Sequence, residues 1–169
     1  MEQSLSSEFI SQSILRMSES LERVKICLDL LDEEDVWKRP NSSSNSIGNL
    51  ILHLCGNIRQ YAVSSLSGAP DTRIRDEEFA AKGGYTKAEL WTKIKATVEE
   101  AFQSMGMASV DELLRVRMVQ GFELSGMGII IHVTEHFSYH TGQIAFWTKS
   151  LQERDLGFYA GMDLNMTNE

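Results

Sequence analysis

Cysteine is scarce in this chain of 169 residues: only Cys27 and Cys55 occur, and no CxxC pair is formed. Each lies in an apolar stretch, which points to two buried thiols in a reducing compartment. Cys55 follows His53 by two positions, so on a helix their side chains diverge by about 200° and do not share a metal ion. Proline is equally rare. Pro40 and Pro70 fall between periodic segments and punctuate the chain without breaking its helices. No apolar run approaches the ~18–20 residues of a membrane span. The opening M-E-Q-S-L-S-S-E has neither the basic region nor the apolar core of a signal peptide. Positive charge is in deficit: 16 Lys and Arg stand against 24 Asp and Glu, a formal charge of −8. Such a chain is poorly suited to a phosphate backbone or an anionic membrane. The expectation is a cytoplasmic protein without nucleic-acid or membrane partners. Its length suits one domain, residues 1–169, around one core.

What the sequence does have is helical periodicity. Ile10, Ile14, Met17, Leu21, Val24, Leu28 and Leu31 alternate in steps of four and three, predicting a long helix over 6–32. Ser46 is placed to cap a second helix reaching about Leu66, with Ile47, Leu50, Ile51, Leu54, Ile58, Tyr61 and Ala62 as its apolar stripe. Thr86 and Glu89 form a capping box for a third, ending near Met105. A fourth spans about Gly126 to Gln152. Before it, R-V-R-M-V-Q-G-F-E-L alternates in places and reads as a short hairpin or an extended crossover. The stretch 67–85 shows no clear period. There, Arg73 and Arg75 either reach an anionic ligand or pair at the surface with Asp76, Glu77 and Glu78. Four helices define an all-α bundle.

Two helix faces are polar but uncharged. The second helix carries Asn49, His53, Asn57, Gln60 and Ser64; the fourth carries His132, His136, Tyr139, His140 and Gln143. Solvated faces are usually rich in Lys and Glu, so neutral stripes suit the walls of a semi-buried cavity. Three of the chain's four histidines stand one helical turn apart in H-V-T-E-H-F-S-Y-H. Residues at i, i+4 lie on one face, about 5–6 Å apart at Cβ, so two imidazoles can share an ion. Catalytic zinc sites usually take three protein ligands. The economical set is His53, the remaining histidine, with two of the three on the fourth helix. His136 with His140 and His132 with His136 both satisfy the spacing. Imidazole ligands suit zinc, nickel, copper or iron. The bland alternative has no metal, with the histidines as pH-responsive packing.

The run H-F-S-Y-H-T-G-Q-I, residues 136–144, resembles the H-x-x-x-H-x-G-Q signature of the DinB-like superfamily. S-I-G-N-L-I-L-H-L, residues 46–54, resembles the first-histidine helix of that family, and G-A-P-D-T-R-I-R-D-E-E-F, residues 68–79, is similar to one branch without known activity. The resemblance implies a four-helix bundle with an irregular segment before the last long helix. It implies metal ligands His53, His136 and His140, leaving His132 as an extra. Thr141 stands where the family commonly has a basic residue, which weakens any substrate-anion role there. Characterised relatives include thiol-dependent transferases and a mycothiol-dependent isomerase. The implied function is a metal-dependent enzyme of thiol-transferase or hydrolase type; the alternative is a non-catalytic, metal-stabilised sensor or interaction module. The implied cofactors are a divalent transition metal, zinc or nickel before iron or copper, and a low-molecular-weight thiol. Asn57, Gln60, Tyr139 and Gln143 are expected to orient a substrate. Glu135 points about 100° from His136 and is not expected to serve as general base. Family members often dimerise, and the stripe Thr134, Ser138, Gly142 and Ala145 permits close helix approach in a homodimer.

Overall fold

The computed structural model describes residues 4–168. Helix α1 (Leu5–Leu30) starts where Ser4 accepts a hydrogen bond from Ser7 N. Helix α2 (Ile47–Ile58) continues through a π-helical segment, Arg59–Ser64, into a last turn, Ser65–Ser67. A short helix α3 (Arg75–Ala80) follows, then α4 (Lys87–Gly106) and α5 (Val110–Leu114). Strands β1 (Val116–Val119) and β2 (Phe122–Ser125) pair antiparallel, and α6 (Gly126–Gln152) completes the described elements. Side chains satisfy the open N–H groups at the long helices' starts. Ser46 with Asn49, and Thr86 with Glu89, close full capping boxes; Ser125 accepts from Gly128 N.

The four long helices close a ring. Helix α1 packs against α6 and α4, and α2 packs against the same two from the other side. Apolar stripes meet at the centre: Met17 and Val24, Leu54 and Ile58, Leu90 and Ile94, Val133 and Phe137 are fully buried. The fold is an all-α bundle. No described helix is long and apolar enough to cross a membrane.

The hairpin expectation holds. Val119 pairs with Phe122, so Gln120 and Gly121 form a two-residue turn, with φ of 52° and 82° as a type I′ turn requires. Arg117 pins the hairpin by donating to Ser65 O at 2.6 Å, and Tyr61 Oη donates to Gln120 Oε1 at 2.9 Å. The stretch 67–85 differs from expectation, because it contains α3. Three acidic residues in that helix's first turn favour its N-terminus. Its six residues are too few for a period to emerge from sequence.

Asn49 anchors this stretch. The residue is wholly buried. Its Oδ1 accepts from Ser46 Oγ at 2.7 Å and from Arg39 Nη2 at 3.0 Å. Its Nδ2 donates to the carbonyls of Glu78 (2.9 Å) and Ala81 (2.8 Å). One amide thus caps α2 and ties down the end of α3. Asn49→Ala leaves several buried groups unpaired and is expected to cost about 2–3 kcal/mol in urea unfolding. A loss below about 0.5 kcal/mol, the usual range for a surface position, contradicts this role.

Candidate metal centre

The neutral stripes of α2 and α6 face each other across the bundle. His53 projects from α2; His136 and His140 project from α6, one turn apart. One nitrogen from each lies within 4.8 Å of the other two, and no further His, Cys, Asp or Glu atom joins them among the described residues. Ring centroids are 4.5 Å apart for His136 and His140, 5.0 Å for His53 and His140, and 5.1 Å for His53 and His136. A tetrahedral ion with bonds of about 2.0–2.1 Å needs nitrogens roughly 3.3 Å apart, which this spread accommodates. His53 Nε2 and His136 Nε2 are 2.9 Å apart. Two lone pairs repel at that distance, so a proton or a cation between them is what makes the approach favourable.

The outer nitrogens fix the tautomers. His53 Nδ1 lies 2.9 Å from Glu78 Oε2. The Glu78 carboxyl is buried, which pushes its pKa up, but hydrogen bonds from Arg73 and His53 outweigh burial and hold it below the usual carboxylate range. An ionised carboxylate only accepts, so this bond needs the hydrogen on Nδ1 and leaves the Nε2 lone pair to the centre. Arg73 Nη2, 3.1 Å from Nδ1, then gives its hydrogen to the closer Glu78 Oε2 instead. His140 Nδ1 likewise donates to Gln143 Oε1 at 2.8 Å, freeing its Nε2. Burial, reinforced by His140, His53, His132 and Arg73, pushes His136 down to about 3. Burial also lowers His140 and His132. At neutral pH these rings are uncharged, as ligands must be.

Arg73 and Glu78 form a buried ion pair. Arg73 Nε donates to Glu78 Oε1 at 2.7 Å and Nη2 to Oε2 at 2.9 Å, a bidentate fork. Their side chains are only 4% and 9% exposed. Of the two sequence alternatives for Arg73, ion pairing is the one found, with Glu78, but in the interior beside His53 and not at the surface. Arg75 instead lies over the Phe79 ring, 4.8 Å from its centroid. Glu78 reaches the histidine only because α2 carries Gly56. A Cβ there would overlap Glu78 Oε1 and lie 2.9 Å from Arg73 Nε.

The other expected residues separate. Asn57 is 3% exposed, with Nδ2 3.2 Å from His132 Nε2 and Oδ1 without a partner. His132 stacks on Tyr61 at 4.2 Å and His136 at 5.2 Å, outside the converging three. The π segment after Ile58 brings Tyr61 into this stack; such bulges recur at functional sites. Gln60 uses both ends of its amide on Asp71 and Arg73. Tyr139 is 63% exposed, and Gln143 also stands at the surface. Glu135 is exposed. Burial raises both thiols, Cys55 to about 12, so neither supplies a thiolate at neutral pH. Sequence alone places Glu78 only as a surface partner of the arginines and misses its contact with His53. An isolated glycine within the well-formed α2 pattern was the one available signal of a close approach.

The helical bundle that brings the three histidines together is DinB-like in fold. The chain belongs to the family described as a protein of unknown function (DUF1572), whose model matches residues 4–160. Its structure is similar to the crystal structure of a DinB-like protein, YjoA, from Bacillus subtilis, with a TM-score of 0.65 and 14% identity. The match covers 85% of this chain and 94% of that one. At that identity the likeness carries the fold alone. No curated protein matches the chain significantly.

Acid acts on this centre in one direction. A His136 held near 3 when folded and at 6.5 when unfolded binds fewer protons in the folded state. Its stabilising effect is full above about pH 6.5 and fades as pH falls towards 3, by at most ~1.4 kcal/mol per pH unit. His132 and His140 shift the same way. Chelator-treated protein is expected to show a lower urea midpoint at pH 5.0 than at pH 7.5. A midpoint unchanged or raised on acidification contradicts neutral buried histidines.

Proposed function

We propose that the protein binds one divalent transition metal on His53, His136 and His140 and works as a metal-dependent enzyme of thiol-transferase or hydrolase type. The observation carrying this reading is the convergence of three imidazole nitrogens with no fourth protein ligand beside them among the described residues. Three neutral ligands leave a coordination position open and cancel none of the ion's charge. A bound ion would supply Lewis acidity, lowering the pKa of a water or thiol at that position. Zinc or nickel suits the donors best, with iron or copper as alternatives.

The chain's own residues have distinct parts in this reading. Glu78 and Gln143 orient His53 and His140. Asn57, with an unpaired amide oxygen in the seam, offers a hydrogen bond to a bound molecule. Tyr139 and Gln143 line a groove of about 640 Å³ with Phe146 and Trp147 opposite Asn41 and Ser44. No charged side chain lines it, so it favours a neutral substrate portion. Gln60 supports Arg73 and contributes to binding indirectly. The same reading includes a low-molecular-weight thiol, a cytoplasmic location, and a homodimer. Ser138 and Gly142 are exposed, and no neighbouring atom stands within 4 Å of the Cβ position of Gly142.

A non-catalytic, metal-stabilised module is the second reading. It is favoured by the want of a free general base: Glu78 is engaged by Arg73 and Glu135 faces outward. Metal-dependent conjugation of a small thiol to monobromobimane, abolished with the ligands, decides for the enzyme.

Elemental analysis of the purified chain is expected to give about one equivalent of zinc or nickel per protomer. His53→Ala and His140→Ala should each abolish it, and chelation should lower the Tm of the wild type alone. Stoichiometric metal retained by both variants contradicts the proposed ligand set.

A further inference from the structure

Of the three converging histidines, His53 has a carboxylate on its outer nitrogen, whereas His140 has a neutral amide. The carboxylate comes from the short helix α3, outside the four long helices of the bundle. Arg73 grips it with two nitrogens, Gln60 Oε1 accepts from Arg73 Nη1 at 2.9 Å, and Asn49 holds the Glu78 carbonyl. Helix α2 makes room by having no side chain at position 56. A glycine within a helix costs about 1 kcal/mol relative to alanine, so its presence calls for a local reason.

We propose that Glu78 is a positioning residue of the metal centre, acting through His53, and that Gly56 and Arg73 set its position. This rests on the reading of His53, His136 and His140 as metal ligands. Glu78 fixes the Nδ1–H tautomer of His53, aims Nε2 at the centre and makes that nitrogen a stronger donor. Arg73 offsets the buried negative charge, so the carboxylate accepts from His53 without a net charge being buried. The pair is also oriented away from the converging nitrogens: both Glu78 oxygens are engaged by Arg73 and His53. Glu78 therefore supports a ligand and is not one itself.

The test measures zinc affinity of the full chain by chelator competition, with the visible spectrum of the cobalt-loaded protein as a second readout. Glu78→Gln is expected to weaken zinc binding 10–100-fold and to alter the cobalt bands. That variant also leaves Arg73 uncompensated, so Arg73→Met/Glu78→Gln is the control. Removing both charges restores thermal stability relative to Glu78→Gln but leaves affinity equally low. Gly56→Ala weakens zinc binding in the wild-type background and adds no loss in the double variant, because it acts by displacing the Glu78 carboxylate and the Arg73 guanidinium that holds it. Wild-type affinity in Glu78→Gln overturns the proposal, as does affinity that recovers with stability in the double variant. If the wild type binds no zinc, cobalt or nickel, the metal reading itself fails; if it binds but Glu78→Gln is unaffected, only the role of Glu78 fails.

Discussion

The hydrogen bond from His53 Nδ1 to Glu78 Oε2, 2.9 Å long and buried, joins the candidate metal centre to the segment that Asn49 already ties to α2. It connects α2 to the segment before α4. It sets which His53 nitrogen faces α6, and it gives a buried carboxylate one of its partners. Burying that carboxylate is unfavourable unless it is paired and fully hydrogen-bonded. Arg73 meets the requirement through a bidentate fork, and the fork in turn needs Gln60 and the space at Gly56. One buried charge thus accounts for a glycine within a helix, a helix of six residues and an amide that does not face the centre.

In the proposed site an acidic chain would hold a cation without carboxylate ligands. Its centre is three imidazoles, and burial keeps His136 and His140 uncharged at neutral pH. The nearest negative charge lies one residue away from the nitrogens and is offset by an arginine. A centre built this way concentrates the effect of an ion on whatever occupies its open position. On one side of the seam, His132, Tyr61 and Gln120 are joined by stacking and a hydrogen bond.

The long elements were legible because their signal is repetitive. Leu90, Ile94, Val98, Ala101 and Met105 recur at helical spacing, and all five are fully buried. Capping residues Ser46, Thr86 and Glu89 announced the helix starts, and the uncharged face around His53 announced a cavity wall. The contact of Glu78 with His53 was not legible. Glu78 sits 25 positions from its partner in an acidic run, and D-E-E reads as a solvated surface until the fold brings one member inside. The π segment escaped for a related reason: R-Q-Y-A-V-S continues an ordinary helical pattern, and the wider turn serves the contact of Tyr61 with His132. Polar residues also divided by partner rather than by stripe. Asn49 and Gln60 turned to α3 and Arg73, while Asn57 kept an oxygen free.

The central claim, an ion held by three histidines with a position left open, is tested most directly by X-ray absorption spectroscopy of the zinc-loaded protein. The account predicts three imidazole shells at about 2.0–2.1 Å, one or two further light oxygen or nitrogen atoms, and no sulfur at about 2.3 Å. The imidazole count should fall in His136→Ala. A sulfur shell, a first shell dominated by carboxylate oxygen, or a spectrum indistinguishable from hydrated zinc contradicts it.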